Sequence, residues 1–93
     1  MTDNRPNKRI EFSPAFQKLL ARAPTEIKQA VQDAIDLFEE NPYTPALRNH
    51  PLKKEYAGFN SIDVTGNWRA LYREEAERFY FSALGTHEEL YGS

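Results

Sequence analysis

Cysteine is absent from the sequence, and its absence excludes several kinds of chemistry. A chain without thiols cannot form disulfides, use a thiolate nucleophile or build cysteine-ligated zinc and iron–sulfur sites. Such a composition is typical of proteins from a reducing compartment. Any catalysis must therefore come from other side chains.

Long apolar runs are also missing. No apolar run exceeds three residues, and the segment that follows Met1 lacks the apolar core of a signal peptide. We therefore expect a cytoplasmic protein without a membrane role. The four glycines are too scattered for a phosphate-binding loop, and no residues have the short spacing of known metal motifs. We expect neither a cofactor nor a metal.

The chain is long enough for one small folded domain. It has 93 residues, of which 40% are hydrophobic and twelve are aromatic. This is enough apolar material for a single core without covalent cross-links. We expect one domain over residues 1–93, with residues 1–7 disordered at its start.

Charge is segregated along the chain although the net charge is only −2. The segments 24–43 and 74–93 are acidic. Residues 44–73 are net basic, with Arg48, Lys53, Lys54, Arg69 and Arg73 against Glu55 and Asp63. A basic middle segment is compatible with phosphate contact on one face, and ordinary solvated charge explains it about as well.

The first half of the sequence predicts a strand and two helices. Arg9–Phe12 alternates polar and apolar residues, as a half-buried strand does. Ser13 followed by proline is a helix-start signal, and we predict a first helix that reaches about Ala23. A proline ends it, and Thr25 opens a second helix. One apolar stripe at three- and four-residue spacing marks this second helix: Ile27, Ala30, Val31, Ala34, Ile35 and Phe38.

The second half predicts four strands. Prolines at positions 42 and 45 end the helical part, and alternation follows in residues 52–56, 59–65, 68–73 and 79–84. The short connections between these segments imply antiparallel hairpins. We therefore predict an α+β fold: a short N-terminal strand, a two-helix hairpin and a four-stranded antiparallel meander, with the helices on one face of the sheet.

His50 and His87 are the first candidates for catalysis. They are the only two histidines, and both lie where the sequence predicts a loop that leaves regular structure. Histidine exchanges protons near neutral pH, and loops on a rigid scaffold often carry catalytic groups. The two side chains can form an acid/base pair.

Three segments follow one another on these predicted elements: residues 47–53 (LRNHPLK), 61–72 (SIDVTGNWRALY) and 85–91 (GTHEELY). In this order they resemble the RelE/ParE superfamily of bacterial toxins, in particular its YafQ-like branch, over nearly the whole chain. The resemblance implies a type II toxin–antitoxin module, in which a ribosome-dependent endoribonuclease cuts mRNA and a small antitoxin holds it inactive. We expect the free toxin to be a monomer that joins a larger complex with its antitoxin.

The resemblance also implies roles for individual residues. Cleaving RNA without a metal requires a base, an acid and a cation against the charge on phosphorus. By position in the family, His87 corresponds to the catalytic residue just after the last strand, and we assign it as general acid. His50 corresponds to the histidine of the loop before the second strand, and we assign it as general base. Arg69 corresponds to the arginine that faces the scissile phosphate in RelE-like members. The expected RNA-binding residues are Trp68, Tyr91, Lys53, Lys54, Arg73, Asn67 and Asp63.

Most of these residues have a structural interpretation as well. His50 can be a solvated loop residue, and His87 can be incidental to a helix cap made by Thr86 and the residue three positions on. In a regular strand Trp68 and Arg69 point to opposite faces, so either Trp68 lies in the turn or one of the two is structural. Tyr91 can simply pack the C-terminus onto the sheet, and Lys53, Lys54 and Arg73 are by default surface charges.

Three positions depart from the family pattern. Asp63 stands where YafQ-like members carry a second histidine, Asn67 where they carry an aspartate, and Ala83 where a basic residue is common. Two alternatives therefore stay open. One is a gyrase inhibitor of the ParE kind, which acts by binding, and the other is a degenerate toxin that only binds its antitoxin.

Overall fold

The computed structural model describes residues 8–92, which form one five-stranded sheet and three helices. The strands are β1 (Arg9–Phe12), β2 (His50–Pro51), β3 (Asn60–Asp63), β4 (Trp68–Glu74) and β5 (Arg78–Thr86). The helices are α1 (Pro14–Arg22), α2 (Thr25–Glu40) and α3 (His87–Tyr91). The predicted disorder of residues 1–7 concerns a segment outside the described residues. Within the described part, every helix is too short or too polar to cross a bilayer.

The sheet has the strand order β1-β5-β4-β3-β2. Strands β2 to β5 pair antiparallel in chain order, so the predicted four-stranded meander is confirmed. β1 joins the far edge and runs parallel to β5, with Arg9 opposite Arg78. The sequence predicted β1 as a strand but gave no partner for it, because its alternation carries no information about direction.

Helices α1 and α2 begin where their sequence signals predict. Ser13 caps α1, since its Oγ accepts a hydrogen bond of 3.0 Å from the Phe16 amide. The apolar stripe of α2 packs on the sheet through Ile27, Val31, Ala34 and Phe38. Phe38 is fully buried, and its ring meets three others edge-on at centroid distances of 5.0 to 5.2 Å: Tyr72, Phe79 and Phe81. This aromatic cluster fixes the helix layer against one face of the sheet.

A β-bulge in β5 decides which side chains face the core. Leu71 pairs with Ala83 but Tyr72 pairs with Phe81, so Ser82 is the extra residue. Because of this insertion, Phe81 and Leu84 both reach the core although they are three residues apart. Ala70 and Tyr72 keep the regular alternation of β4 and also face the core. The other face of β4 carries Arg69.

One predicted strand is wrong in its position. Residues 52–56 were expected to form the first strand of the meander, but the strand is His50–Pro51 and Lys54–Tyr56 is a turn of 3-10 helix. Lys54 has φ of 57°, in the left-handed region that an extended strand cannot contain. A proline is tolerated in β2 because this strand lies at the edge of the sheet.

Candidate active site

A cleft of about 380 Å³ lies on the face of the sheet away from α1 and α2. It is formed by the loop before β2, by β3 and β4, and by the C-terminal helix α3. Eight residues line it: Arg48, His50, Leu52, Ser61, Asp63, Arg69, His87 and Tyr91. Both histidines of the chain and Arg69 are therefore brought together in one cavity.

Strand register explains why these residues meet. Ser61 and Asp63 are two residues apart on β3 and share a face, while Ile62 between them is buried in the core. Asp63 pairs with Arg69 on β4, and Ser61 pairs with His50 on β2. The site thus has a floor of three neighbouring strands, which holds its side chains in fixed positions.

Arg69 is the most constrained cation of the cleft. Its Nε lies 3.0 Å from Asp63 Oδ1, and the two side chains are only 16% and 15% exposed. Its Nη1 donates to the carbonyl oxygens of Thr65, Gly66 and Trp68 at 3.0 to 3.2 Å. These bonds orient the guanidinium from one side, and within the described residues Nη2 has no acceptor. A planar cation held in this way can present its free edge to an anion.

Arg48 is a second cation that sequence reasoning counted only as charge. Its backbone is left-handed, with φ of 49° and ψ of 43°, at the end of a short 3-10 turn. Its Nε lies 3.7 Å from Asp63 Oδ2, and the side chain is 77% exposed. Asp63 is therefore flanked by two guanidinium groups, one rigid and one at the mouth of the cleft. The signal that could have identified Arg48 is its place two residues before His50.

His50 is oriented by its own loop. Its Nδ1 lies 2.7 Å from the Arg48 carbonyl oxygen. A carbonyl can only accept, so Nδ1 carries the proton and Nε2 of the neutral ring is an acceptor. Asn49 anchors the loop by donating to the Pro42 carbonyl at 2.9 Å and to Tyr72 Oη at 2.7 Å. Burial raises the pKa of Tyr72 to about 12, so this anchor stays a neutral phenol at physiological pH.

His87 is the first residue of α3. Thr86 caps this helix, because its side chain accepts from the Glu89 amide at 3.1 Å while Glu89 accepts from the Thr86 amide at 2.8 Å. The His87 amide donates to the Asn67 carbonyl at 2.9 Å, which ties α3 to the turn before β4. The His87 ring is exposed and meets the Tyr91 ring at 4.8 Å. The cap foreseen as an alternative to catalysis is present, and it aims the imidazole at the cleft.

Close packing holds α3 on the sheet. A Cβ at Gly85 would lie 3.2 Å from Glu89 Oε1 and 3.4 Å from Leu90 Cγ, so only glycine allows this approach without adjustment. Tyr56 adds a link from the other side, because its hydroxyl donates to the Leu90 carbonyl and its ring meets Tyr91 at 5.5 Å. α3 is thus fixed at both of its ends.

Several predicted RNA-binding residues lie outside the cleft. Trp68 packs partly against the core and does not line the cleft, so of the pair Trp68 and Arg69 only Arg69 faces it. The Arg73 guanidinium stacks on Phe59 at 5.2 Å. Lys53 and Lys54 are exposed between β2 and β3, and Asn67 is exposed beside His87. Asp63 and Tyr91 do line the cleft.

Ser61, like Arg48, lines the cleft although the sequence did not predict it as a site residue. It is fully buried in β3, lines the cleft and pairs with His50 in the sheet. Two-residue spacing from Asp63 on a strand was the signal that could have identified it. Ser61 stands between Asn60 and Ile62 and carries no charge, so the alternation of the strand does not distinguish it from an ordinary polar position.

Comparison with known proteins agrees with the geometry. Residues 8–92 match the family described as "Bacterial toxin of type II toxin-antitoxin system, YafQ". The chain belongs to this family. The mRNA interferase toxin YafQ of Escherichia coli strain B / BL21-DE3 is 26% identical over 87 residues, which cover 89% of this chain and 95% of the relative.

Solved structures of the family share the fold. The crystal structure of YafQ from E. coli BL21(DE3) superposes with a TM-score of 0.77 at 24% identity, covering 91% of this chain and 99% of that one. The toxin in the E. coli DinJ–YafQ toxin–antitoxin complex gives a TM-score of 0.76 at 22% identity, covering 94% and 100%. The YafQ-like resemblance and the α+β architecture expected from the sequence are thereby confirmed.

Proposed function

We propose that this chain is an mRNA-cleaving endoribonuclease of a type II toxin–antitoxin system, which acts on the translating ribosome without a metal. The observation that carries the proposal is the convergence of His50, His87, Arg69 and Arg48 on one cleft. The YafQ family membership and the name mRNA interferase of the E. coli relative support the same activity.

The cleft holds the groups that intramolecular RNA cleavage needs. In this reaction the 2′-oxygen forms a bond to phosphorus and the bond from phosphorus to the 5′-oxygen breaks, which leaves a 2′,3′-cyclic phosphate and a 5′-hydroxyl. His50 Nε2 takes the proton from the 2′-hydroxyl, because Nδ1 is already committed to the Arg48 carbonyl. Protonated His87 gives its proton to the departing 5′-oxygen.

The two arginines stabilise the charge that develops on the phosphate. Arg69 is fixed on its Nε and Nη1 sides by Asp63 and by backbone carbonyls, so its remaining edge serves the phosphate without further ordering. Arg48 is largely exposed and binds the incoming RNA from the mouth of the cleft. Asp63 replaces a family histidine, and in this account it orients Arg69 instead of transferring protons.

The remaining RNA contacts lie around the cleft. Tyr91 offers an aromatic surface beside His87, on which a base adjoining the cleavage point stacks. Lys53 and Lys54 lie in the turn between β2 and β3, and Arg73 lies on β4. These three cations neutralise backbone phosphates. Trp68 supports the site from the core side.

A cognate antitoxin and the ribosome are the proposed partners. The solved DinJ–YafQ complex shows that a relative of this fold binds an antitoxin. An antitoxin segment that covers the basic residues around the cleft would neutralise them and block the RNA. The free toxin then acts as a cytoplasmic monomer when this segment is removed.

The test is cleavage of a message in a translation extract that contains a metal chelator at a concentration that still permits translation. Wild type is expected to cut, whereas His87→Ala, His50→Ala and Arg69→Ala each lose at least about a hundredfold in rate. Arg22→Ala removes an exposed arginine at the end of α1, away from the cleft, and serves as the matched control with unchanged cleavage.

Three results would overturn the proposal. Equal cleavage by wild type and the three site variants would show that His87, His50 and Arg69 are not catalytic. Inhibition of gyrase supercoiling that survives loss of both histidines, without RNA cleavage, would instead identify a gyrase inhibitor. A wild type that neither cuts RNA nor arrests growth would identify a degenerate toxin.

A further inference from the structure

Two buried hydroxyl groups have no hydrogen-bond partner within the described residues, and both belong to residues that line the cleft. They are Ser61 Oγ and Tyr91 Oη. No other buried side-chain nitrogen or oxygen in residues 8–92 lacks a partner. The coincidence of both orphaned groups with one cleft calls for a ligand that satisfies them.

The energetic argument is strongest at Ser61. Its side chain is fully buried, and a buried hydroxyl without a partner destabilises the folded state because it has lost its hydrogen bonds to water. Ser13 shows the contrast, since it is the other buried serine of the described chain and its Oγ accepts from the Phe16 amide. Alanine would fill the position of Ser61 at lower cost. A hydroxyl is useful there only if something else hydrogen-bonds to it.

The surroundings indicate what that partner is. Ser61 lies on the same face of β3 as Asp63 and is paired with His50 and Leu71 on the neighbouring strands. Four of the eight residues that line the cleft are basic or can become cationic: Arg48, Arg69, His50 and His87. A positive cleft attracts an anion, and hydroxyl donors to an anionic oxygen make short, strong hydrogen bonds.

We propose that Ser61 Oγ and Tyr91 Oη bind phosphate oxygens of the RNA backbone in the cleft. The proposal rests on the proposed function, because it takes a phosphodiester as the ligand. Ser61 lies at the floor and holds the phosphate beside His50, and Tyr91 contacts it from α3. The hydroxyls hold the substrate and transfer no proton, so they contribute to binding.

Tyr91 thereby gains a role that a phenylalanine cannot fill. Its ring already packs edge-on between Tyr56 and His87, at 5.5 and 4.8 Å. Tyr91→Phe keeps this packing and any stacking on a base, and it removes only the hydroxyl. The substitution separates phosphate binding from the stacking function that the sequence suggested.

The experiment measures thermal stability and steady-state cleavage of wild type, Ser61→Ala, Tyr91→Phe and Ser13→Ala. Ser61→Ala and Tyr91→Phe are expected to melt at the wild-type temperature or above, because each loses an unsatisfied group. Their KM for the message rises by about threefold to tenfold with kcat little changed, as for loss of one hydrogen bond. Ser13→Ala is the matched control, which loses a satisfied cap, melts lower and keeps its KM.

A short single-stranded DNA oligonucleotide provides a readout that does not depend on cleavage. It carries the same phosphodiester but lacks the 2′-hydroxyl that the reaction needs, so it binds without being cut. Its dissociation constant, measured by fluorescence anisotropy, is expected to rise by about the same factor in Ser61→Ala and Tyr91→Phe. Wild type that binds this DNA but cuts no message would refute the nuclease and leave the phosphate site standing.

Three results would overturn the inference. Unchanged KM and unchanged DNA affinity in both variants would show that the hydroxyls contact no substrate. A melting temperature lowered as much as in Ser13→Ala would show that Ser61 has a structural partner. A raised KM for RNA with unaltered DNA affinity would assign the contact to the sugar and not to the phosphate.

Discussion

At the scale of single residues, the site depends on one carboxylate that holds two arginines. Asp63 lies 3.0 Å from Arg69 Nε and 3.7 Å from Arg48 Nε. Its charge reduces the positive field of the cleft while its contact fixes the orientation of Arg69. A substitution of Asp63 alone can therefore separate the orientation of Arg69 from the attraction of the cleft for RNA.

Asp63→Asn is expected to lower kcat and leave KM unchanged or lower. The amide keeps the shape but weakens its hold on Arg69, and misplacement of a catalytic group by about 1 Å can cost roughly a hundredfold in rate. Loss of the negative charge meanwhile favours binding of the polyanion. Cleavage kinetics at two salt concentrations check this, and a KM that rises with an unaltered kcat would contradict the orienting role.

At the scale of elements, the five-residue helix α3 carries His87, the proposed general acid. An isolated helix of this length is unstable in water, so its cap and its packing on Gly85 and Tyr56 must hold it. His87 is its first residue and follows the cap directly. Loss of the cap should therefore lower the cleavage rate more than it lowers the stability of the fold.

Thr86→Ala is expected to reduce cleavage by about tenfold or more with only a small change in melting temperature. The substitution removes the acceptor for the Glu89 amide, and loss of such a cap typically costs about 1 kcal/mol. Thr86→Ser keeps the acceptor and serves as the conservative control with near-normal cleavage. Equal activity of the alanine and serine variants would show that the cap does not position His87.

At the scale of the whole molecule, β1 forms one edge of the sheet by pairing parallel to β5. An ion-pair network holds this edge. Arg78 donates to Glu11 at 2.8 Å and to Glu75 at 2.6 Å. The hydrogen bonds from Arg78 and then Arg9 lower the pKa of Glu11 below its ordinary value of 4.5. The hydrogen bonds to Glu75 and then to Glu11 raise the pKa of Arg78. Glu11 therefore stabilises the folded state at pH values above its unfolded-state pKa.

Acid titration of stability checks this network. A carboxylate with a lowered folded pKa binds a proton more weakly when folded, so its contribution is lost as the pH falls through the folded value. Glu11→Gln is expected to be slightly less stable than wild type at neutral pH and equal to it well below pH 4.5. Chemical denaturation at a series of pH values measures both, and a constant difference at every pH would contradict the coupling.

Much of this architecture could be predicted from the sequence because the signals were local. The stripe of α2, the Ser13 cap and the hairpin turns each depend on neighbouring residues. The predicted position of β2 was wrong because residues in a 3-10 turn with a left-handed Lys54 can show the same polar and apolar alternation as a strand. The bulge at Ser82 and the partner of β1 arise from pairing across the sheet, which the alternation of one strand does not encode.

Part of the candidate site could also be predicted from the sequence. His50, His87 and Arg69 stood out through rare residue types and motif order, and all three line the cleft. Arg48 and Ser61 were not predicted, although each lies two residues from a predicted site residue, because their place in the cleft depends on the pairing of β2 with β3. Trp68 could be placed only once the face of β4 was known.

The chemistry of the cut ends shows whether the 2′-hydroxyl is the attacking group. Message cleaved by the wild-type toxin in the presence of chelator is expected to carry a 2′,3′-cyclic phosphate or its 3′-phosphate hydrolysis product on one side, and a 5′-hydroxyl on the other. His50→Ala and His87→Ala should both lose these ends. Cleavage that leaves a 3′-hydroxyl and a 5′-phosphate would contradict attack by the 2′-hydroxyl, and with it the roles given to His50, His87 and Arg69.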